Sequence, residues 1–201
     1  MWSVSLSATL VLSSAQAATP PVPSGHKSVT VKHGCQISVA PTKSSGVAPI
    51  RADCHWPDVT AAALDKLLAD WDGADRIFSS VAVSEVKSTS GGKVTFYQVH
   101  TASGISDREA MLVGSRSSVD GGFKYAWTMD GATQAPAADG RVTIGQDDGS
   151  WTVTDHPEGG VAVTYRLEYD PAGSVPSFFV RSFQSGGIVA LVGELKAAAS
   201  K

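Results

Sequence analysis

The stretch VAVTYRLEYD (161–170), PAGSVP (171–176) and SFFVRSFQSGGIVALVGELKAAAS (177–200) changes its hydrophobic period part-way, and that change decides the architecture. In the first part Val161, Val163, Tyr165, Leu167 and Tyr169 alternate with Thr164, Arg166 and Glu168, the period of a strand with one dry and one wet face. Asp170-Pro171-Ala172-Gly173 reads as a turn. From Pro176 to Ala198 the apolar residues recur at helical spacing, with proline in the first turn, where its missing N–H does no harm. At about 100° per residue Val180, Phe183, Gly187, Ile188, Leu191 and Leu195 share one face, and Phe178 lies nearly opposite. The chain therefore closes on an amphipathic helix laid against the sheet that the preceding strand joins.

Upstream, the two-residue period repeats. Val81–Ser88, Lys93–His100, Ile105–Arg116, Phe123–Met129, Arg141–Ile144 and Trp151–Thr154 read as strands, parted by Ser90-Gly91-Gly92, Ser103-Gly104, Asp120-Gly121-Gly122, Asp147-Asp148-Gly149 and Glu158-Gly159-Gly160. These are consecutive antiparallel hairpins. Before them, Pro57-Asp58 offers a helix start with Asp58 as N-cap, and Val59, Ala63, Leu67 and Trp71 follow at helical spacing. Gly73 breaks that helix, and Ala74, Ile77, Phe78 and Val81 suggest a second short one. Earlier still, Ser28–Ala40 and Gly46–Asp53 read as a hairpin within 27–55 that turns near Ser44-Ser45. A two-residue turn there sets Cys35 opposite Cys54, close enough for a disulfide. Two unconnected buried thiols are the alternative, if Pro41 or Pro49 shifts the register.

The predicted fold is α+β, a curved antiparallel sheet wrapped around a long C-terminal helix, with two short helices after the N-terminal hairpin. One helix cannot fill the concave side of so wide a sheet. An apolar cavity between helix and sheet follows, with Gly186-Gly187 leaving room at the helix surface.

Composition narrows the function classes. The chain has 201 residues, 42% hydrophobic and 17% charged, with a formal charge of -3, the profile of one ordinary soluble domain. Its scattered Lys and Arg form no surface able to displace counterions from many phosphates, so nucleic acid is not expected as a partner. Residues 1–17 carry no charge, hold an apolar run from Val4 to Leu12 and end in Ala15-Gln16-Ala17, which reads as an export signal. Residues 18–26 read as a flexible leader and 27–201 as one domain. No later run is long and apolar enough to be a transmembrane helix. Export and the disulfide together predict a periplasmic or secreted protein.

Ser106-Asp107-Arg108-Glu109, Pro136, Gly140-Arg141-Val142, Gly149-Ser150-Trp151, Val163-Thr164-Tyr165 and Asp170 to Pro176 follow one another in order and lead directly into the terminal helix. In that order and spacing the chain resembles the START domain, the lipid-transfer module of the steroidogenic acute regulatory protein, within the helix-grip superfamily that also holds polyketide cyclases; here it would be a bacterial exported type. The resemblance implies a tunnel for one hydrophobic molecule, a lipid or sterol, gated by the terminal helix and by the loop from Asp130 to Gly140. Val180, Phe183, Gly187 and Leu191 are the helix residues expected to line it, and Tyr125, Trp127, Tyr165 and Leu167 the sheet residues. Arg116 is expected to face inward and meet a polar head. Transient membrane contact and a monomeric state complete this reading.

No catalytic motif is present: there is no Gly-x-Ser-x-Gly elbow, no P-loop and no dinucleotide fingerprint. The five histidines, 26, 33, 55, 100 and 156, lack metal-ligand spacing, so neither metal nor cofactor is expected. In the run 106–109, Asp107 and Glu109 share a strand face while Arg108 points away, the pattern of a structural ion-pair network. A cyclase-like enzyme is the alternative, using His100, Tyr97 or Arg116 in the same cavity. A third class is an interaction module whose cavity is filled by its own side chains.

Overall fold

A computed structural model describes residues 19–41, 48–137 and 140–201. The stretch read as an export signal and the turn at Ser44-Ser45 lie outside the described residues. The strands are β1 (Lys27–Lys32), β2 (Cys35–Val39), β3 (Ile50–Trp56), β4 (Val81–Ser90), β5 (Lys93–His100), β6 (Arg108–Val119), β7 (Gly122–Met129), β8 (Val142–Thr143), β9 (Gln146–Asp155) and β10 (Val161–Asp170). They form one curved sheet in the order β1-β2-β3-β10-β9-β7-β6-β5-β4, antiparallel throughout that path, with β8 pairing in parallel with β6. The architecture is the expected α+β arrangement of a sheet around a terminal helix.

The N-terminal region departs from the reading in one respect. Ser28–Ala40 is not a single strand, because His33 and Gly34 both adopt positive φ, 54° and 75°, and fold β1 back on β2. Two consecutive positive φ values make the tight turn that suits a hairpin, but His-Gly is not the usual pair for it. The cysteine reading holds: Cys35 faces Cys54 across β2 and β3, their Cα atoms are 3.9 Å apart, and the two sulfurs are bonded.

On the concave face lie α1 (Ala61–Ala69), a 3-10 turn (Trp71–Gly73) and α2 (Ala74–Ile77). The N-cap of α1 is Thr60, whose hydroxyl accepts from the Ala63 N–H at 3.2 Å; Asp58 instead pairs with Lys196 at 3.2 Å. The buried residues of α1 are Leu64 and Leu68. The terminal helix runs as α3 (Ser177–Ser182), a π-helical turn (Phe183–Gly187) and α4 (Ile188–Ala199). Ile188, Val192 and Leu195 seal it into the main core, beside Leu64 of α1 and Trp56, Val153 and Val163 of the sheet. The core therefore occupies one end of the concave face and leaves the other end for the site.

Candidate functional site: a cavity between sheet and terminal helix

The cavity has a volume of about 570 Å³, the size range of a site for one small molecule. Its sheet wall is aromatic. Trp151 and Tyr165 pack at a tilt with ring centroids 4.3 Å apart, and the Trp127 ring lies 6.3 Å from that of Tyr165. Two glycines make this wall possible: a Cβ at Gly149 would sit 2.1 Å from the Trp127 indole, and one at Gly114 2.4 Å from Trp71. Each ring thus occupies the space that a side chain at the glycine would need. The opposite wall comes from Leu67, Leu68, Ile77 and Phe78 of α1, α2 and the residue after it, and from the terminal helix.

One end of the cavity is polar. Asp147 is buried, and its Oδ1 accepts from the Trp127 indole N–H at 2.7 Å. Burial pushes its carboxyl up to about 7 against the pull of that hydrogen bond, and the neighbouring Asp148 adds to the rise. His100 stands 3.9 Å from the other Asp147 oxygen, and desolvation pulls its imidazole down to about 4. Between those two values both groups favour their uncharged forms. Gln98 lies 3.1 Å and the Tyr169 hydroxyl 3.4 Å from the His100 ring nitrogens. Arg108 completes this end. It is buried, donates to the Ser106 carbonyl, and leaves its Nε without a partner. Among the described residues no carboxylate pairs with it.

No protein-family model and no curated protein matches the sequence. Solved structures do. The STAR-related lipid transfer protein of Xanthomonas axonopodis superposes with a TM-score of 0.77 at 20% identity, over 88% of this chain and 99% of that one. Human StAR-related lipid transfer protein 5 gives 0.75 at 15% identity, over 88% of this chain and 86% of that one. The fold is the START-like helix grip. A more distant likeness is to the di-domain ARO/CYC BexL from the BE-7585A biosynthetic pathway, with a TM-score of 0.52 and 16% identity over 76% of this chain and 50% of that one.

Within this cavity the structure brings together Val180, Phe183, Gly187 and Leu191 on the helix side and Tyr125, Trp127, Tyr165 and Leu167 on the sheet side. Arg116 is not among the lining residues. It opposes Tyr125 in register and so shares its face, but Asp65 of α1 captures it at 2.8 Å outside the cavity, where the guanidinium also covers the Phe123 ring. The Arg116 hydrogen bond holds the Asp65 carboxyl below its usual range.

The expected lid is also misplaced. Ala135 of the 130–140 loop packs on Tyr97, Val99 and Met111, on the sheet face that points away from the cavity. Among the described residues the cavity is bordered instead by Ser79–Val81, by Thr101–Ser103 and Ile105, and by the terminal helix. The run 106–109 divides between the two faces. Glu109 accepts from the Tyr97 hydroxyl at 2.6 Å and lies 3.9 Å from Arg141 on the outer face, whereas Arg108 turns into the cavity. Tyr97 therefore has no access to the cavity, and His100 does.

Asp147 was hidden by its own sequence. Asp147-Asp148-Gly149 carries the composition of a turn, yet all three residues belong to β9, where Gly149 is required by the Trp127 ring rather than by a bend.

Proposed function

We propose that the protein binds one hydrophobic small molecule, a lipid or a sterol, with its apolar body along the aromatic wall and its polar group at the Arg108–Asp147 end. The observation that carries this reading is an apolar cavity of about 570 Å³ closed at one end by a buried cation with no counter-ion among the described residues. A buried charge left unpaired costs several kcal/mol, so a ligand atom that accepts from Arg108 relieves a penalty as well as forming a contact. Apolar burial at about 25 cal/mol per Å² supplies the rest of the affinity. The START-like fold supports the same use, since two of its similar structures carry lipid transfer in their names. Carriage between membranes, by transient contact of a monomer, belongs to the proposal, as does a periplasmic or secreted location. The disulfide and the lack of any membrane-crossing helix among the described residues are compatible with that location.

The test is native mass spectrometry of the chain exported into an oxidising compartment, followed by extraction of whatever co-purifies. One lipid or sterol per chain is the expected result. A chain that arrives empty and then takes up none of a panel of fatty acids, phospholipids and sterols overturns the reading.

The second reading is a cyclase-like enzyme in the same cavity, favoured by the His100–Asp147 contact with its opposed shifts and by the likeness to an aromatase/cyclase fold. His100→Gln separates the two: a carrier keeps its one-to-one loading, whereas an enzyme loses turnover of the extracted ligand.

A further inference from the structure

Far from the cavity, the turn between β9 and β10 folds over the end of β3 and covers His55. That residue is 4% exposed and sits opposite Ala162 in the ladder. Its Nε2 lies 2.9 Å from the Gly159 carbonyl oxygen, an atom that can only accept, so Nε2 carries the proton and Nδ1 carries the lone pair. Nδ1 is buried and has no partner. An imidazole whose N–H is fixed by a backbone carbonyl, and whose other nitrogen is bare, is in the tautomer that a metal requires.

Two more donors stand beside it. The His156 ring stacks on His55 with centroids 3.6 Å apart, and Glu158 follows across Pro157. One ligand atom from each of the three residues falls within a sphere where all lie within 4.8 Å of one another. Sequence spacing could not reveal this group, since His55 and the His156-Pro157-Glu158 run meet only through the β3–β10 pairing.

We propose that His55 Nδ1, a His156 nitrogen and the Glu158 carboxylate bind a divalent transition-metal ion of the zinc type. Two imidazoles and one carboxylate suit zinc or its neighbours, and water completes the shell. A tetrahedral ion at about 2.0–2.2 Å from each atom draws the ligands to roughly 3.3–3.6 Å from one another. Binding therefore tightens the cluster and turns the His156 ring out of its stack. The competing interaction is modest, a 3.2 Å hydrogen bond from the Glu158 N–H to His156 Nδ1. His156 and Glu158 ride on a turn where Gly159 and Gly160 have φ of 91° and 68°, and Gly160 packs so closely that a Cβ would sit 2.2 Å from the Trp56 carbonyl oxygen. The ion would thus clip this turn to β3, the strand that also carries Cys54. It binds the folded chain in preference to the unfolded one and so raises the melting temperature.

The experiment titrates Zn²⁺ into the chelator-treated full chain by calorimetry, repeats the titration with Co²⁺ by visible absorption, and records melting curves with and without Zn²⁺. The expected result is one strong site per chain, weakened at least tenfold by His156→Ala and by Glu158→Gln, with the zinc-induced rise in melting temperature lost in both. Failure of the wild type to bind overturns the proposal. So does equally tight binding in both variants, which would place the ion on other histidines such as His26 or His33. Should His156→Ala not fold, Glu158→Gln on the exposed turn decides alone, because it removes the charge and keeps the shape.

Discussion

Asp147 and His100 titrate in opposite senses, and their linkage to folding can be separated. Asp147 moves from 3.8 in the unfolded chain to about 7 in the cavity. The folded state therefore holds the extra proton between about pH 4 and 7, and this group makes stability fall as pH rises through that window. His100 moves from 6.5 to about 4, so the unfolded chain holds the extra proton there and stability rises with pH over about 4 to 6.5. The two slopes oppose each other up to about pH 6.5, above which Asp147 alone remains. Asp147→Asn keeps an acceptor for the Trp127 indole and abolishes the falling component. Its unfolding free energy relative to wild type is expected to climb from pH 4 to 7 and then level off, the full span being several kcal/mol at about 1.4 kcal/mol per unit. A difference that stays flat across the pH series would show that Asp147 titrates as an exposed carboxyl. Gly149 offers a steric test at the same scale. Gly149→Ala places a methyl against Trp127, and thermal melts should show a loss of about 1–3 kcal/mol. Neither residue was legible in the sequence, because Asp-Asp-Gly carries turn chemistry and the clash that demands glycine comes from another strand.

At the scale of the element, the terminal helix shows what periodicity reveals and where it stops. The change of period at Asp170 located the helix, and the stripe through Val180, Phe183, Gly187 and Leu191 faces the cavity. Ile188 and Leu195, on the same stripe by angle, turn instead into the core. The helical angle supplies the reason: at about 100° per residue Leu195 and Ile188 fall roughly 120° and 140° from Phe183, at the edge of the stripe, whereas Gly187 and Leu191 fall within roughly 80° of it. Phe183 sits at the π-helical turn, 5.4 Å from the Tyr169 ring and facing the cavity. Phe183→Trp is expected to fill cavity volume and reduce ligand loading while leaving the far-ultraviolet spectrum unchanged; full loading in a stably folded variant would count against the site. A second device lies further along α4, where Glu194 accepts from the Ser79 N–H at 3.1 Å and from its hydroxyl at 2.5 Å. Both residues border the cavity, so this contact fastens the helix to the α2–β4 linker across one side of it. Glu194→Ala should accelerate exchange of a bound fluorescent fatty acid severalfold with little loss of melting temperature. Unchanged exchange would place the opening elsewhere, at the 101–105 segment.

For the whole molecule, the sheet order separates the elements that hold the chain together from those that surround the cavity. Strand alternation and the sequence of turns were enough to recover the curved sheet, its terminal helix and the Cys35–Cys54 pairing, because each depends on local period and register. The cavity's polar end and the His55–His156 stack depend on strands distant in sequence, which no local pattern reports. The same order places β1, β2 and β3 at one side of the sheet, and among the described residues none before Leu67 lines the cavity. The disulfide spans a sequence separation of 19 residues, a loop whose closure is worth about 3 kcal/mol in the chain-entropy model. Its removal should therefore lower stability without dismantling the site. The double variant Cys35→Ser, Cys54→Ser is expected to lose about 2–4 kcal/mol in denaturant unfolding. At temperatures well below its melting point it should still load ligand at wild-type stoichiometry. Loss of loading in a variant that remains folded would mean that β2 and β3 brace the cavity through β10, whose Tyr165 and Leu167 pair with Ala52 and Ile50 and form part of its wall; restored loading on lowering the temperature further would assign the loss to stability alone.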